Sequence, residues 1–152
     1  AGVDADTVSL SSSVVTGNSG MKMFSDKKIS EIDTNSYDML VLPGSKNLLN
    51  SKHVIDLVSN FNKQGKFIAA INISSIVLAQ AGILEDKVAT VFPGYENKIP
   101  KPRAAKVVVA KNVITAAGPS AAMDFALKLA EVAAGKGALN KLKRGLAVDG
   151  YA

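Results

Sequence analysis

Few side chains in this sequence are of the types that carry acid–base, nucleophilic or metal chemistry. It contains no cysteine and a single histidine, His53. The absence of cysteine excludes a disulfide framework, a thiolate metal site and a cysteine nucleophile. A lone imidazole three residues before Asp56 supplies too few ligands for zinc. We therefore expect no metal and no cofactor, and we interpret His53 as a residue on a helix surface.

Serine and glutamate provide the remaining candidates for chemistry. Ser74 and Ser75 stand between a buried apolar run and a helical one. Either could be a nucleophile, but serine is a favoured helix N-cap and the sequence shows no base for it, so capping is the better interpretation. Glu96, beside Tyr95, is a candidate general base at the rim of an active site.

Two short patterns are compatible with anion binding and have simpler explanations. The segment 17–20, Gly-Asn-Ser-Gly, lacks the Lys-Ser/Thr ending of a phosphate loop, so we predict a hairpin turn there. Lys141, Lys143 and Arg144 form the densest basic run, which is typical of an exposed helix end as well as of a nucleic-acid patch. Aromatic residues make up only 5% of the chain, too few for a base-stacking platform. We expect no nucleic-acid partner.

The composition is that of a globular domain. The chain has 152 residues, of which 47% are apolar and 20% charged, which predicts a single domain over 1–152 and excludes disorder. Its longest apolar stretch, around 67–71, is far shorter than the ~20 residues that span a bilayer, so we expect no membrane partner. The chain starts at Ala1 without a basic-then-apolar leader, from which we expect a cytoplasmic location.

Hydrophobic periodicity predicts strands that alternate with helices. The predicted strands are 6–10, 14–16, 21–24, 37–42, 67–71, 88–91, 106–109 and 113–115. The predicted helices cover 53–61, 74–79 and a segment that opens at 118–120, whose buried face includes Met123, Phe125, Ala126 and Val132. This alternation predicts an α/β sandwich around a mainly parallel sheet.

Several of these segments together resemble the ThiJ/PfpI family. The resemblance rests on 38–44 (DMLVLPG), 64–71 (QGKFIAAI), 77–84 (VLAQAGIL), 92–96 (FPGYE) and 112–128, and it extends over about 1–148. It implies the flavodoxin-like, three-layer fold of the class I glutamine amidotransferase-like superfamily and a homodimer. It also implies kinship with cysteine-dependent glyoxalases, deglycases, peptidase-like hydrolases and chaperones of the stress response.

The resemblance places a reactive cysteine at a nucleophile elbow, the sharp turn between the strand 67–71 and the next helix. In this sequence that position is Asn72. The amide of asparagine is not an activated nucleophile at neutral pH, so the elbow is degenerate. The resemblance also implies a histidine near 92–102, where the sequence has Tyr95, Glu96 and Lys98 instead. The alternative to an enzyme is a non-catalytic binding protein or a chaperone-like homodimer.

Backbone N–H groups complete the site that the resemblance implies. They match Gly44, Ser45 and Ile73. Backbone donors survive a change of side chain, so a small carbonyl or anionic ligand could still bind at the elbow. The simpler interpretation of Pro43-Gly44 is a turn that ends a strand.

The beginning of the chain departs from the family. Ala1-Gly2 match the end of the family's first helix, so the first strand, its glutamate and that helix are missing from the sequence. We expect an open sheet position unless the chain is N-terminally incomplete or another segment fills it. Residues 145–151 are one candidate for a permuted strand, and a C-terminal helix over 141–148 is the alternative.

Overall fold

The computed structural model describes residues 1–17 and 19–148, which form two compact units. The smaller unit is Asp4–Tyr37, and the larger contains Ala1–Val3 and the chain from Asp38 onward. The single domain over 1–152 stays a prediction. No helix in the described ranges combines the length and the apolar character that a bilayer crossing requires.

The smaller unit contains four short strands: β1 (Val8–Ser9), β2 (Val14–Thr16), β3 (Lys22–Phe24) and β4 (Lys27–Lys28). β1 pairs in parallel with β4, and β2 pairs antiparallel with β3, which confirms the predicted hairpin. The Gly20 N–H donates to the Gly17 carbonyl at 2.9 Å across the turn. Asn18, which belongs to the same predicted turn, lies outside the described residues.

The hairpin exposes large apolar side chains. The exposed fractions are 47% for Val15, 66% for Met21, 59% for Met23 and 79% for Phe24. We call these four residues the hairpin patch. A two-stranded hairpin buries little apolar surface by itself, so exposure of this kind is typical of an interaction surface.

The larger unit contains a four-stranded sheet in the order β5-β6-β8-β7, flanked by helices. Its strands are β5 (Met39–Leu42), β6 (Phe67–Ile71), β7 (Val107–Ala110) and β8 (Val113–Ala116), and its helices are α1 (Lys52–Lys63), α2 (Ser75–Gln80) and α3 (Ala122–Gly145). β5, β6 and β8 run parallel, and β7 is antiparallel to β8. This mainly parallel α/β architecture agrees with the predicted flavodoxin-like sandwich.

Burial of both sheet faces produces the three layers. Every residue of β8 is buried, as are the three central residues of β6. Successive side chains of a strand point to opposite faces, so a layer must cover each face. On one face Ala69 and Ile114 pack in a cluster with Phe125 of α3. α1 contacts β5 and β6 and buries Val54, Val58 and Phe61.

Some of the predicted elements are wrong. The segment 88–91 forms only an isolated bridge between Ala89 and Pro102, because proline lacks the N–H that a longer ladder needs. The first strand is limited to Val8–Ser9. In α3, Met123 and Ala126 are exposed, so the buried stripe is narrower than the periodicity indicates.

α3 ends at Gly145, and a turn follows over 146–148. α3 is interrupted at Gly135, whose φ of +82° lies outside the helical region. No strand occurs over 145–148, and the rest of the candidate permuted strand, 149–151, lies outside the described residues. β5 is an edge strand, since its one partner among the described strands is β6.

Candidate functional site

The candidate site is the turn that joins β6 to α2, which we call the elbow. It consists of a single 3₁₀ turn over Asn72–Ser74, after which α2 begins directly at Ser75. Asn72 has φ +68°, in the left-handed region. Asparagine is one of the few residues besides glycine that visit this region readily, so it can keep a sharp strand-to-helix turn.

Gly44 lies directly against the elbow. A Cβ added at Gly44 would come within 2.8 Å of the Asn72 Cβ and 3.2 Å of its Cγ. Real Cβ atoms do not approach so closely, which explains why the loop after β5 carries glycine here. The structure therefore brings two of the predicted site residues, Gly44 and Asn72, into contact.

Hydrogen bonds within the protein occupy two of the predicted backbone donors. The Ile73 N–H donates to Oδ1 of Asn72 at 2.7 Å. The Ser45 N–H donates to Oγ of Ser74 at 3.3 Å, and the Ser74 hydroxyl donates to the Pro43 carbonyl at 2.6 Å. The Ile73 N–H can donate to an incoming anion only after the anion has displaced Oδ1 of Asn72.

Ser74, at the end of the elbow, and Ser75, the first residue of α2, do not cap that helix. Ser74 is fully buried, and its hydroxyl holds the 43–45 loop instead of accepting from the first turn of the helix. The Ser75 hydroxyl is also buried and has no hydrogen-bond partner among the described residues. Ser74 is thus a structural link between the two loops of the site, a role that its position in the sequence does not reveal.

Glu96 is not part of the elbow. Both of its carboxylate oxygens accept the Gly94 N–H, at 3.1 and 2.9 Å, and they close a turn in which Gly94 has φ +92°. The ring of the adjacent Tyr95 makes an edge contact with Phe92, with centroids 6.4 Å apart. Glu96 therefore stabilises its own loop, which is a poor position for a general base.

Glu96 lines a separate concavity of about 260 Å³, which we call the Arg103 cavity. The residues around it come from three chain segments, 90–96, 102–106 and the residue after β8: Thr90, Val91, Pro93, Glu96, Pro102, Arg103, Ala104, Ala105, Lys106 and Ala117. None of the elbow residues lines this cavity. No sequence pattern indicates this cavity, because most of its wall comes from segments without regular structure.

His53 is the second residue of α1 and is exposed. Across the part of the chain that the structure describes, no three His, Asp or Glu side chains cluster as metal ligands. Outside the elbow, hydrogen bonds from Lys111 and Lys87 lower the pKa of Asp86 to about 2.

Gly118 and Thr115, at and just after β8, also contribute to the packing next to the Arg103 cavity. The sequence patterns do not single out either residue. A Cβ on Gly118 would lie 3.0 Å from the Phe92 ring, so glycine lets that ring pack against the loop after β8. Thr115 Oγ1 accepts the Thr90 N–H at 2.9 Å, and Thr90 Oγ1 donates to the Ala105 carbonyl at 2.9 Å. Threonine within a fully buried strand is the sequence signal that could have indicated this link.

Comparison with known proteins gives consistent matches along most of the chain. A family model described as the DJ-1/PfpI family matches residues 1–132. An uncharacterised protein of Methanocaldococcus jannaschii is 37% identical over 138 residues, which are 84% of this chain and 67% of the relative. Protein dj-1beta of Drosophila melanogaster is 32% identical over 136 residues, 84% of this chain and 73% of the relative. The structure of oxidized Toxoplasma gondii DJ-1 has a TM-score of 0.82 and 30% identity, covering 90% of this chain and 78% of that one.

Two further relatives are named for reactions. An isonitrile hydratase of Pseudomonas putida is 30% identical over 101 residues, which are 62% of this chain and 44% of the enzyme. A glutathione-independent glyoxalase of Caenorhabditis elegans is 26% identical over 133 residues, 84% of this chain and 72% of the enzyme.

Proposed function

The chain belongs to the DJ-1/PfpI family, and from this premise we propose that it is a non-catalytic binding protein of that family. The observation that carries the proposal is Asn72 at the elbow, with φ +68° and its Oδ1 bonded to the Ile73 N–H. The chain keeps the turn and its close contact with Gly44, but the side chain at the turn is not a nucleophile.

Thiol chemistry has no other source in this chain. The sequence contains no cysteine, so no covalent thiol adduct can form at the elbow and no cysteine-dependent hydration can occur there. The glyoxalase and hydratase activities in the names of two relatives are therefore reactions that we propose this chain has lost. Glu96, the candidate base, adjoins a different cavity and does not replace the missing base.

A small carbonyl compound or carboxylate is the ligand class that fits the elbow. Asn72 is half-buried, and its Nδ2 has no hydrogen-bond partner among the described residues. A neutral amide donor can bind a carbonyl oxygen or an anion without a formal charge. Rotation of the same side chain would release the Ile73 N–H as a second donor.

A chaperone-like homodimer is the second candidate, and the hairpin patch favours it. Four large apolar side chains of one short hairpin are between 47% and 79% exposed. Contact between two copies through such a patch would remove apolar surface from water, which is the main favourable term in association. A stress-response role and a cytoplasmic location accompany this proposal. Sedimentation at micromolar concentration tests it, and a mass equal to one chain overturns it.

Kinetics with glyoxal test the loss of catalysis. The wild-type chain should consume glyoxal no faster than buffer, whereas Asn72→Cys introduces a thiol at the elbow and should consume it measurably. Asn60→Cys, on the exposed surface of α1, is the matched control, since it adds a thiol outside the elbow. Glyoxal consumption by the wild type would contradict the proposal. Equal rates for the two cysteine variants would show that the elbow gives the thiol no advantage.

Binding is tested separately by amide NMR with pyruvate, which presents both a carbonyl and a carboxylate. Saturable shifts of the Gly44 and Ile73 amides are expected, and Asn72→Ala should weaken them because it removes Nδ2. If neither amide responds to pyruvate, the elbow is not a binding site for this ligand class.

A further inference from the structure

The walls of the Arg103 cavity are fixed before any ligand arrives. The Ala89 N–H donates to the Lys101 carbonyl at 3.1 Å, and the Arg103 N–H donates back to the Ala89 carbonyl at 2.8 Å. The Ala117 N–H donates to the Lys106 carbonyl at 3.0 Å. Ligand sites are usually concavities that exist in the free protein, because a formed site does not have to be ordered by the ligand.

Thr90 adds side-chain links to this frame. It is buried; its N–H donates to Thr115 Oγ1 of β8, and its hydroxyl donates to the Ala105 carbonyl in the segment 102–106. The cavity also adjoins Ala117, the residue after β8. Open α/β sheets bind ligands outside the carboxyl ends of their strands, and this is the end of β8 that the cavity occupies.

The charged groups at the cavity favour an anion. The Arg103 guanidinium has no hydrogen-bond or ion-pair partner among the described residues. Lys106 makes one ion pair, with Asp124 at 3.3 Å, in which both side chains are at least half exposed and which is therefore weak. The single carboxylate on the lining, Glu96, already accepts the Gly94 N–H with both oxygens.

The rest of the lining is mainly apolar. Val91, Pro93, Pro102, Ala104, Ala105 and Ala117 contribute aliphatic surface. A cavity of about 260 Å³ has room for a small ring or a short branched chain. Arginine binds planar carboxylates through two parallel hydrogen bonds.

We propose that the Arg103 cavity is a second ligand site, distinct from the elbow, that binds a small carboxylate with an apolar body: the carboxylate pairs with Arg103, and the body lies against the alanine and proline lining. The site goes beyond the proposed function and does not depend on it, because its residues and those of the elbow do not overlap.

Benzoate is the probe, and the full ¹⁵N-labelled chain is the sample. Titration should produce saturable shifts of the Thr90, Arg103 and Ala117 amides. Benzyl alcohol, which has the same ring without the charge, should bind about tenfold more weakly, since a charge-assisted pair is lost. Arg103→Gln should weaken benzoate by a similar factor. The chain has one other arginine, Arg144, on the exposed end of α3, so Arg144→Gln is the matched control and should leave the affinity unchanged.

Ala104→Leu provides a variant that acts through volume instead of charge. Ala104 is exposed and lines the cavity, so a larger side chain there should reduce benzoate binding without disturbing the core. Three results would overturn the proposal: shifts that do not saturate, equal affinities for benzoate and benzyl alcohol, or equal losses in Arg103→Gln and Arg144→Gln. Shifts at the Gly44 and Ile73 amides alone would also overturn it while supporting the elbow as the binding site.

Discussion

The elbow and the Arg103 cavity lie in the same unit but use their polar groups in opposite ways. At the elbow, the backbone donors of Ile73 and Ser45 are bonded to side chains of the protein. At the cavity, the backbone is bonded to itself and the Arg103 guanidinium has no partner among the described residues. The donors of one turn are thus satisfied within the protein, while a nearby surface leaves a charged group without a partner among the described residues.

Steric contact at the elbow should have the largest effect on stability. Gly44→Val places side-chain carbons within the space of Asn72, and overpacking of this kind costs typically 1–3 kcal/mol, so we expect about 3 kcal/mol. Urea denaturation measures the loss. Gly137→Ala is the control, because a Cβ there meets nothing within 4 Å and alanine favours a helix. Equal stability of the two variants would mean that the loop after β5 does not press on the elbow.

Loss of the hydrogen bond between Thr90 and Thr115, at the Arg103 cavity, should have the second-largest effect on stability. Thr115→Val keeps the shape of the side chain but removes the acceptor of the Thr90 N–H. A buried donor left unsatisfied costs about 1–3 kcal/mol, and we expect about 2 kcal/mol in thermal or urea unfolding. Thr16→Val, in the exposed strand β2, should be nearly neutral. A neutral Thr115→Val would show that the cavity floor does not depend on this bond.

Backbone strain at Asn72 should produce a smaller change. Asn72→Ala keeps φ near +68° with a residue that disfavours it, at a cost of about 1–2 kcal/mol. Asn72→Gly should retain or increase stability, because glycine accepts positive φ freely. Comparison of the urea midpoints of the two variants gives the result. If alanine and glycine are equivalent, the elbow has relaxed out of the left-handed region.

The smallest effect concerns a charged group outside both regions. Asp86 has its pKa lowered from 3.8 to about 2, first by Lys111 and then by Lys87. A carboxylate with a lowered pKa stabilises the folded state above its unfolded pKa, and this contribution is lost as the pH falls from about 4 to about 2. Asp86→Asn should therefore flatten the acid dependence of unfolding in that range. Its side chain is 57% exposed, so the effect should shrink at high salt. An unchanged acid profile would contradict the assignment.

The regular elements of the larger unit could be predicted, and the irregular ones could not. The strand 67–71 followed at once by a helical pattern predicts the sharp turn at Asn72, because no residues remain for a longer connection. The segment 88–91 has the same apolar composition but fails to become a strand, since its partner contains Pro100 and Pro102. The local sequence pattern indicates which faces of a strand are buried. It does not indicate whether the neighbouring segment has the backbone N–H groups that a ladder requires.

The sequence predicts the position of the elbow better than it predicts the roles of the side chains there. Ser74 matches the statistics of a helix cap, yet it bonds to the 43–45 loop about thirty residues earlier in the chain. Glu96 has the chemistry of a base, yet a glycine two residues away takes up both its oxygens. Such choices depend on which atoms the fold brings within hydrogen-bond distance, and one sequence does not encode that distance in any local pattern.

The left-handed conformation of Asn72 has an evolutionary consequence. Few residues besides glycine accept that conformation readily, and asparagine is among those that do, so it can replace a reactive residue there without any change in the strand, the helix or Gly44. The conformation of the turn and the reactivity of its side chain are therefore separate requirements on one residue, Asn72. The backbone at this turn restricts the residue at 72 to types that tolerate positive φ, and it sets no requirement for a reactive side chain.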